Sequence, residues 1–457
     1  MEENAGAAPD ALLLGLNARF THSNPALYGI RAYCRADARD IEIFEFGMNT
    51  PPEEIVSGVE ASRAGIVGIS VYIWNADLAR TLLPRIKLAL PECRIVLGGP
   101  EVTHSARDWL SMDEVDFVVA GPGEEAFRKI LAGDVSANER LIACANPPFA
   151  DLPFPYEEGD FARFENRYLY YESSRGCPYR CSYCLSSRED ARLEERRLSD
   201  VLCEMDTLAA RAFGTVKFVD RTFNARPERA RTIWRHLIES GARKRFHFEV
   251  RPALLGDEDI ELLETAPVGL FQFEMGVQST NEETLRAVHR AADWHAARKA
   301  IARLSAAGNI RTHLDLIAGL PFDTLETIGR SFDDVYALGP EHLQLGFLKV
   351  LPGTEMRERA AEYGLSHSPH PPYEIYENRW LSREDLSILR DIAALTGSLY
   401  NTGCFRPWLD ARREAHGGAF ALFRALALHW RGLGIALHLK EPRVVERALA
   451  SFPSMDQ

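Results

Sequence analysis

The chain has 457 residues, a formal net charge of −13, and 46% hydrophobic against 26% charged residues. Such a length predicts two or three domains, each able to bury its own core, and the acidic balance excludes a general electrostatic grip on nucleic-acid phosphates or an anionic membrane surface. Eight cysteines in so long a chain do not form a disulfide framework and suit a reducing cytoplasm; residues 1–10 lack the basic flank of a secretion signal, and the longest apolar runs, 11–16 and 66–74, fall far short of the roughly 20 residues that span a bilayer.

From residue 11 to 131, buried-strand runs alternate with helical stretches. Strands are expected at 11–16, 41–46, 65–73, 94–97 and 116–119, and helices at 26–37, 52–64, 77–90, briefly after His104, and at 124–131. Continuously apolar strands mark a parallel sheet covered on both faces. The alternation therefore gives an α/β, doubly wound (Rossmann-like) domain over residues 1–135. Ligands of such sheets sit beyond the carboxyl ends of the strands, here residues 17–24, 72–75, 98–100 and 121–125. Gly98 and Gly99, followed by Pro100, permit close backbone approach to a ligand. Gly121 and Gly123 open a helix at Glu124 whose amino end can receive a polar tail. Residues 136–167 read as a linker, because the proline-rich stretch 146–155 suits neither helix nor central strand.

A strand at 168–173 delivers the chain into a loop with Cys177, Cys181 and Cys184 in C-x3-C-x2-C spacing. Clustered thiolates hold metals, and soft sulfur selects iron–sulfur clusters, zinc or copper(I). A closed zinc site would need a distant fourth ligand. A 4Fe-4S cluster held by three cysteines leaves one iron open to a small molecule. The charged run 188–197 reads as solvated surface, followed by a helix from 198 to about 213. Strands then recur at 215–220, 245–251, 270–277, 311–317 and 344–350, with helices at 227–240, 257–265, 282–288, 294–307 and 325–337. Six strand–helix steps imply a parallel partial barrel over 168–356, functional at its strand ends. Polar residues collect there: Asp220 with Asn224, Glu249 with Arg251, Gln278, and Asp315. Helical patterns at 382–400, 419–431 and 441–451 predict a small helical domain over 357–457, with Cys404 and Trp408 in its central loop.

The cysteine loop, with Tyr183 just before its third cysteine, resembles that of the radical S-adenosylmethionine (SAM) enzymes. Residues 276–279, 315–321 and 351–354 are similar to strand-end motifs of the oxygen-independent coproporphyrinogen dehydrogenase type. By position, the resemblance implies that Cys177, Cys181 and Cys184 hold a 4Fe-4S cluster. It further implies that Gln278, Arg290 and Asp315 contact the ribose and carboxylate of SAM, with Glu249 and Asp220 beside them and Tyr183 by the adenine. The five-strand order, with residues 97–103 and 121–125, resembles the cobalamin-binding domain that precedes the cluster domain in one branch of these enzymes. The D-x-H-x-x-G motif that supplies a lower cobalt ligand is absent, since the loop at 17–25 has His22 without the paired Asp and Gly. The implied corrin is held without a histidine ligand. Tyr72, Trp74 or Asn75 would fill the space below it, with Gly98, Gly99, Pro100, Gly121, Gly123 and Glu124 as its other neighbours.

This resemblance implies cleavage of SAM to a 5′-deoxyadenosyl radical and cobalamin-mediated methyl transfer to an unactivated substrate carbon. The same cofactors could serve ring closure, rearrangement or oxidation, or the first domain could have lost cobalamin and recognise substrate. The implied partners are a small-molecule or peptide substrate and an electron donor such as flavodoxin or ferredoxin.

Overall fold

In the computed structural model, residues 8–136, 138–145, 147–187, 192–211, 214–290 and 293–453 are described. The chain divides into two compact units, Met1–Arg175 with Glu194–Val219, and Gly176–Leu193 with Asp220–Gln457.

The first unit is built on a six-stranded sheet in the order Ile41–Gly47, Ala11–Asn17, Ile66–Ser70, Arg94–Gly98, Phe117–Val119, Leu141–Ile142. Every pairing is parallel. Strand Ala11–Asn17 is buried along its whole length, as its unbroken apolar run requires. Leu12, Leu14, Ile69, Leu82, Ile86 and Trp109 share its core with helices Pro52–Ser62 and Ala76–Ala89. The chain switches direction across the sheet between Ala11–Asn17 and Ile66–Ser70, so the loops after these two strands flank the crevice where doubly wound sheets take ligands. Five strands were expected; the sixth lies in the stretch read as linker, where Val118 donates to Arg140 O (2.8 Å) and Ala120 to Ile142 O (2.9 Å). Two residues are too few to leave a periodic signal. Strand Tyr168–Tyr171 pairs in parallel with Thr215–Phe218 in the same unit. The run 188–197 is not solvated throughout: Arg196 is buried, bonded to Leu152 O and paired with Glu204; residues 188–191 lie outside the described residues.

In the second unit, strands Arg245–Glu249, Phe271–Gln278, Arg311–Ala318 and His342–Phe347 run parallel in sequence order. With helices Pro227–Glu239, Asp257–Glu264, Trp294–Ala307 and Leu325–Tyr336, these strands form the strand–helix repeat expected of a partial (β/α) barrel. Its alternation places function. Phe271, Phe273, Met275 and Val277 are buried, while Gln272, Glu274, Gly276 and Gln278 between them are only partly so. In the neighbouring strand His313 and Asp315 take the same partly covered positions. Because strand side chains alternate between faces, the lining is polar, unlike the Val/Ile/Leu filling of a closed barrel.

Helix Arg383–Leu395 continues as a π-helical turn, Thr396–Tyr400, and is followed by helices Arg406–Arg413, Ala419–Gly432 and Pro442–Ala450. Phe420 and Phe423 pack on Phe332 of the last barrel helix at 6.0 and 5.6 Å. Trp408 is not in a loop. It stands on helix Arg406–Arg413, with its ring 5.8 Å from Phe452 and under Arg412, while Cys404 is exposed. No helix among the described residues is long and apolar enough to cross a membrane.

Candidate active site

The cysteine loop is pinned from both sides by backbone bonds: Ser182 N donates to Val288 O (3.1 Å) and Met356 N to Ser182 O (2.8 Å). Met356 follows the strand-end stretch 351–354, so that motif acts on the loop through its backbone. Cys181 is buried, Cys177 and Cys184 partly so, and all three are free thiols. Arg290 Nη1 stands 3.6 Å from Cys181 Sγ, and its Nη2 donates to Gly276 O. Cys177 Sγ lies 3.6 Å from Thr222 Oγ1. Arg251 spreads its guanidinium over the Tyr179 ring at 3.9 Å, and Asn224 exchanges two hydrogen bonds with its backbone (2.8 and 2.9 Å). Burial, with neighbouring thiols, pushes the Tyr183 phenol far above its ordinary range, against the pull of Arg290.

Gln278 ends its strand at a register shift, with φ +73°. Its Oε1 is buried without a hydrogen-bond partner among the described residues. An added Cβ on Gly276 would meet Gln278 Nε2 at 2.1 Å and Arg290 Nη2 at 3.3 Å, so glycine there makes room for both side chains. Asp315 pairs in register with Gly276. Burial raises its carboxyl pKa, opposed by His313, whose Nε2 stands 3.0 Å from Asp315 Oδ1. Thus Gln278, Arg290, Asp315 and Cys181 belong to one connected set. Asp220 is buried, and Glu249 sits half-buried at the end of its strand.

In the first unit, the loop after Ile66–Ser70 presents a stacked pair. Tyr72 and Trp74 lie 4.4 Å apart at 8°, and Trp74 is 48% exposed. Asn75 is wholly buried beneath them; its amide donates to Leu16 O and Ser70 O (both 3.0 Å) and accepts from Tyr72 N (2.7 Å). Its side chain shapes the loop, leaving the exposed face to the aromatics. Gly99 has φ +107°, and a Cβ there would stand 2.5 Å from Val71 O; Gly98 is less crowded, and Pro100 is exposed at the start of its helix. Thr103 Oγ1 donates to Gly99 O (2.9 Å) and accepts from Gly121 N (3.2 Å), joining the two glycine loops. Gly123 packs against Ile30, and Glu124 pairs with Arg175 at 2.9 Å. His22 Nδ1 lies 2.5 Å from Tyr170 Oη; burial lowers its pKa, aided by Lys217.

Residues 171–335 match the model of the Radical SAM superfamily, and residues 11–131 that of the B12 binding domain. A Radical SAM domain thus follows a B12-binding domain in this chain. Residues 361–444 match a model described as a protein of unknown function (DUF4080). The cobalamin-dependent radical SAM methyltransferase TokK of Streptomyces tokunonensis is 24% identical over 387 residues, covering 75% of this chain and 56% of that protein. The 2-(S-pantetheinyl)-carbapenam-3-carboxylate methyltransferase of Streptantibioticus cattleyicolor is 26% identical over 467 aligned residues, covering 92% and 66%. This chain thus spans between about half and two-thirds of those relatives' lengths. The cobalamin-dependent radical SAM enzyme OxsB, with aqua-cobalamin and SAM bound, shares the fold at a TM-score of 0.72 and 14% identity, covering 97% of this chain and 78% of that one.

A Radical SAM domain and a B12-binding domain imply a 4Fe-4S cluster, SAM and cobalamin, and the residues fit each. Three sulfurs with N–H or O–H neighbours are suitable cluster ligands. The partnerless Gln278 oxygen calls for a donor such as a ribose hydroxyl. The glycine cradle at Gly99 and the stacked pair of half-buried Tyr72 and exposed Trp74 offer close approach and a flat apolar face. Thr222 was not singled out from the sequence; Thr103 entered only as the last residue of the stretch 97–103, and Arg251 only as the polar companion of Glu249 at its strand end.

Proposed function

We propose that the chain is a cobalamin-dependent radical SAM C-methyltransferase, acting on an unactivated carbon of a small-molecule or peptide substrate. The observation that carries this reading is the buried, partnerless Gln278 oxygen in a polar barrel lining joined to the three-cysteine loop, in a chain that also has a B12-type sheet. When bound, the cofactors supply a hydrogen-abstracting radical and a transferable methyl group. The chain's own residues bind and orient. Cys177, Cys181 and Cys184 would hold the cluster. Gln278 and Asp315 receive the hydroxyls of SAM, Arg290 its carboxylate side, and Tyr183 flanks its adenine; Asp220 and Glu249 complete the polar set. Tyr72 and Trp74 would offer the corrin a flat apolar face and keep water from it. Gly98, Gly99, Pro100, Gly121, Gly123 and Glu124 line the path of its tail, and Asn75 holds the aromatic loop. An electron donor such as flavodoxin or ferredoxin, in the cytoplasm, would supply reducing equivalents.

The test needs no substrate. Protein reconstituted anaerobically with iron, sulfide and hydroxocobalamin, then given SAM and a strong reductant, should retain corrin absorbance through gel filtration. It should release one S-adenosylhomocysteine per bound corrin, together with 5′-deoxyadenosine. Cys181→Ala should abolish the 5′-deoxyadenosine. Release of 5′-deoxyadenosine without S-adenosylhomocysteine would rule out methyl transfer while leaving radical chemistry standing.

A further inference from the structure

Arg290 stands between two tasks. The resemblance assigns its cation to a carboxylate, yet Nη1 is aimed at Cys181 Sγ at 3.6 Å and Nη2 is committed to Gly276 O. The main chain fixes the same geometry: Arg290 N donates to Leu285 O (2.8 Å), after His289 at φ +55°. A planar guanidinium held by one carbonyl has its remaining N–H groups set in direction, and here one of them meets the most buried of the three cysteine sulfurs. A second cation, Arg251, lies over Tyr179 of the same loop.

We propose that Arg290 is a positioning residue for the cluster, a charged N–H donor to the Cys181 ligand sulfur that raises the cluster's reduction potential. The inference rests on the cluster assignment made under the proposed function. A hydrogen bond to a ligand sulfur and a nearby positive charge both favour the more negative, reduced cluster, so losing them makes the cluster harder to reduce. The acidic chain gives this a purpose: with a net charge of −13, a local cation offsets an unfavourable overall field.

The test is the midpoint potential of the reconstituted, SAM-free protein, followed by electron paramagnetic resonance in wild type, Arg290→Gln and Arg290→Lys, with iron and sulfide content measured in each. The potential should move negative in Arg290→Gln and recover partly in Arg290→Lys, which keeps the charge but not the fork. If Arg290→Gln does not assemble a cluster, the Arg290→Lys shift alone decides. An unmoved SAM-free potential, with only SAM affinity weakened, overturns the inference and leaves Arg290 as a carboxylate ligand. A wild-type protein that assembles no cluster overturns the functional reading itself, a distinguishable failure.

Discussion

Gln278 holds its side chain from a backbone position that residues other than glycine seldom adopt, at φ +73°. Strain of this kind persists where the surroundings fix it, and here Gly276 provides the space. Gly276→Ala should displace both Gln278 and Arg290 and abolish SAM binding measured by equilibrium dialysis, while iron content stays near wild type. Gln278→Ala should weaken SAM binding about tenfold, the scale of one hydrogen bond to a buried acceptor; unchanged affinity would remove Gln278 from the site. Asn75→Ala removes three bonds to buried backbone and should cost about 2–4 kcal/mol in chemical denaturation. The spacing of the cysteines was legible in the sequence, but the job of Asn75 was not. The resemblance to cobalamin-binding domains placed Asn75 beside the corrin; the structure adds that its amide matches three backbone groups that meet only in the folded turn.

At the scale of elements, the polar lining of the barrel has its own titration. The His342 ring packs on that of His313 at 4.2 Å, and burial, with this neighbour second, lowers its pKa to about 4. The unfolded chain therefore takes up a proton near pH 6.5 that the folded chain refuses until about pH 4, so stability should fall as pH drops through that window. Asp315, raised by burial, works in the opposite direction above its ordinary value. Comparing denaturation at pH 7 and pH 5 isolates the histidine: the loss should be smaller in His342→Gln than in wild type. Strand positions were readable because apolar residues alternate over 271–278 and 311–318. Helix Arg406–Arg413 was not, because a proline at its second residue and three arginines mask its single buried leucine.

At the scale of the molecule, the residues proposed for each cofactor fall in one unit: the cysteines and the proposed SAM set in the second, the proposed corrin set in the first. Stripping iron with a chelator should therefore abolish SAM binding but leave cobalamin co-eluting with the protein; simultaneous loss of corrin would show that the two sites depend on one another. The sequence marked a change of organisation at the proline-rich stretch 146–155 and the cysteine loop, whereas the first compact unit also takes in Glu194–Val219. The substrate was not legible, since its recognition rests on loops and a helical region without a motif. One hydroxyl extends this partition inside the first unit. Thr103 ties Gly99 to Gly121, so changes in the two glycine loops should be epistatic. A double-mutant cycle across Gly99→Ala and Gly121→Ala should show a coupling that disappears in a Thr103→Val background, so that reshaping one loop carries the other with it.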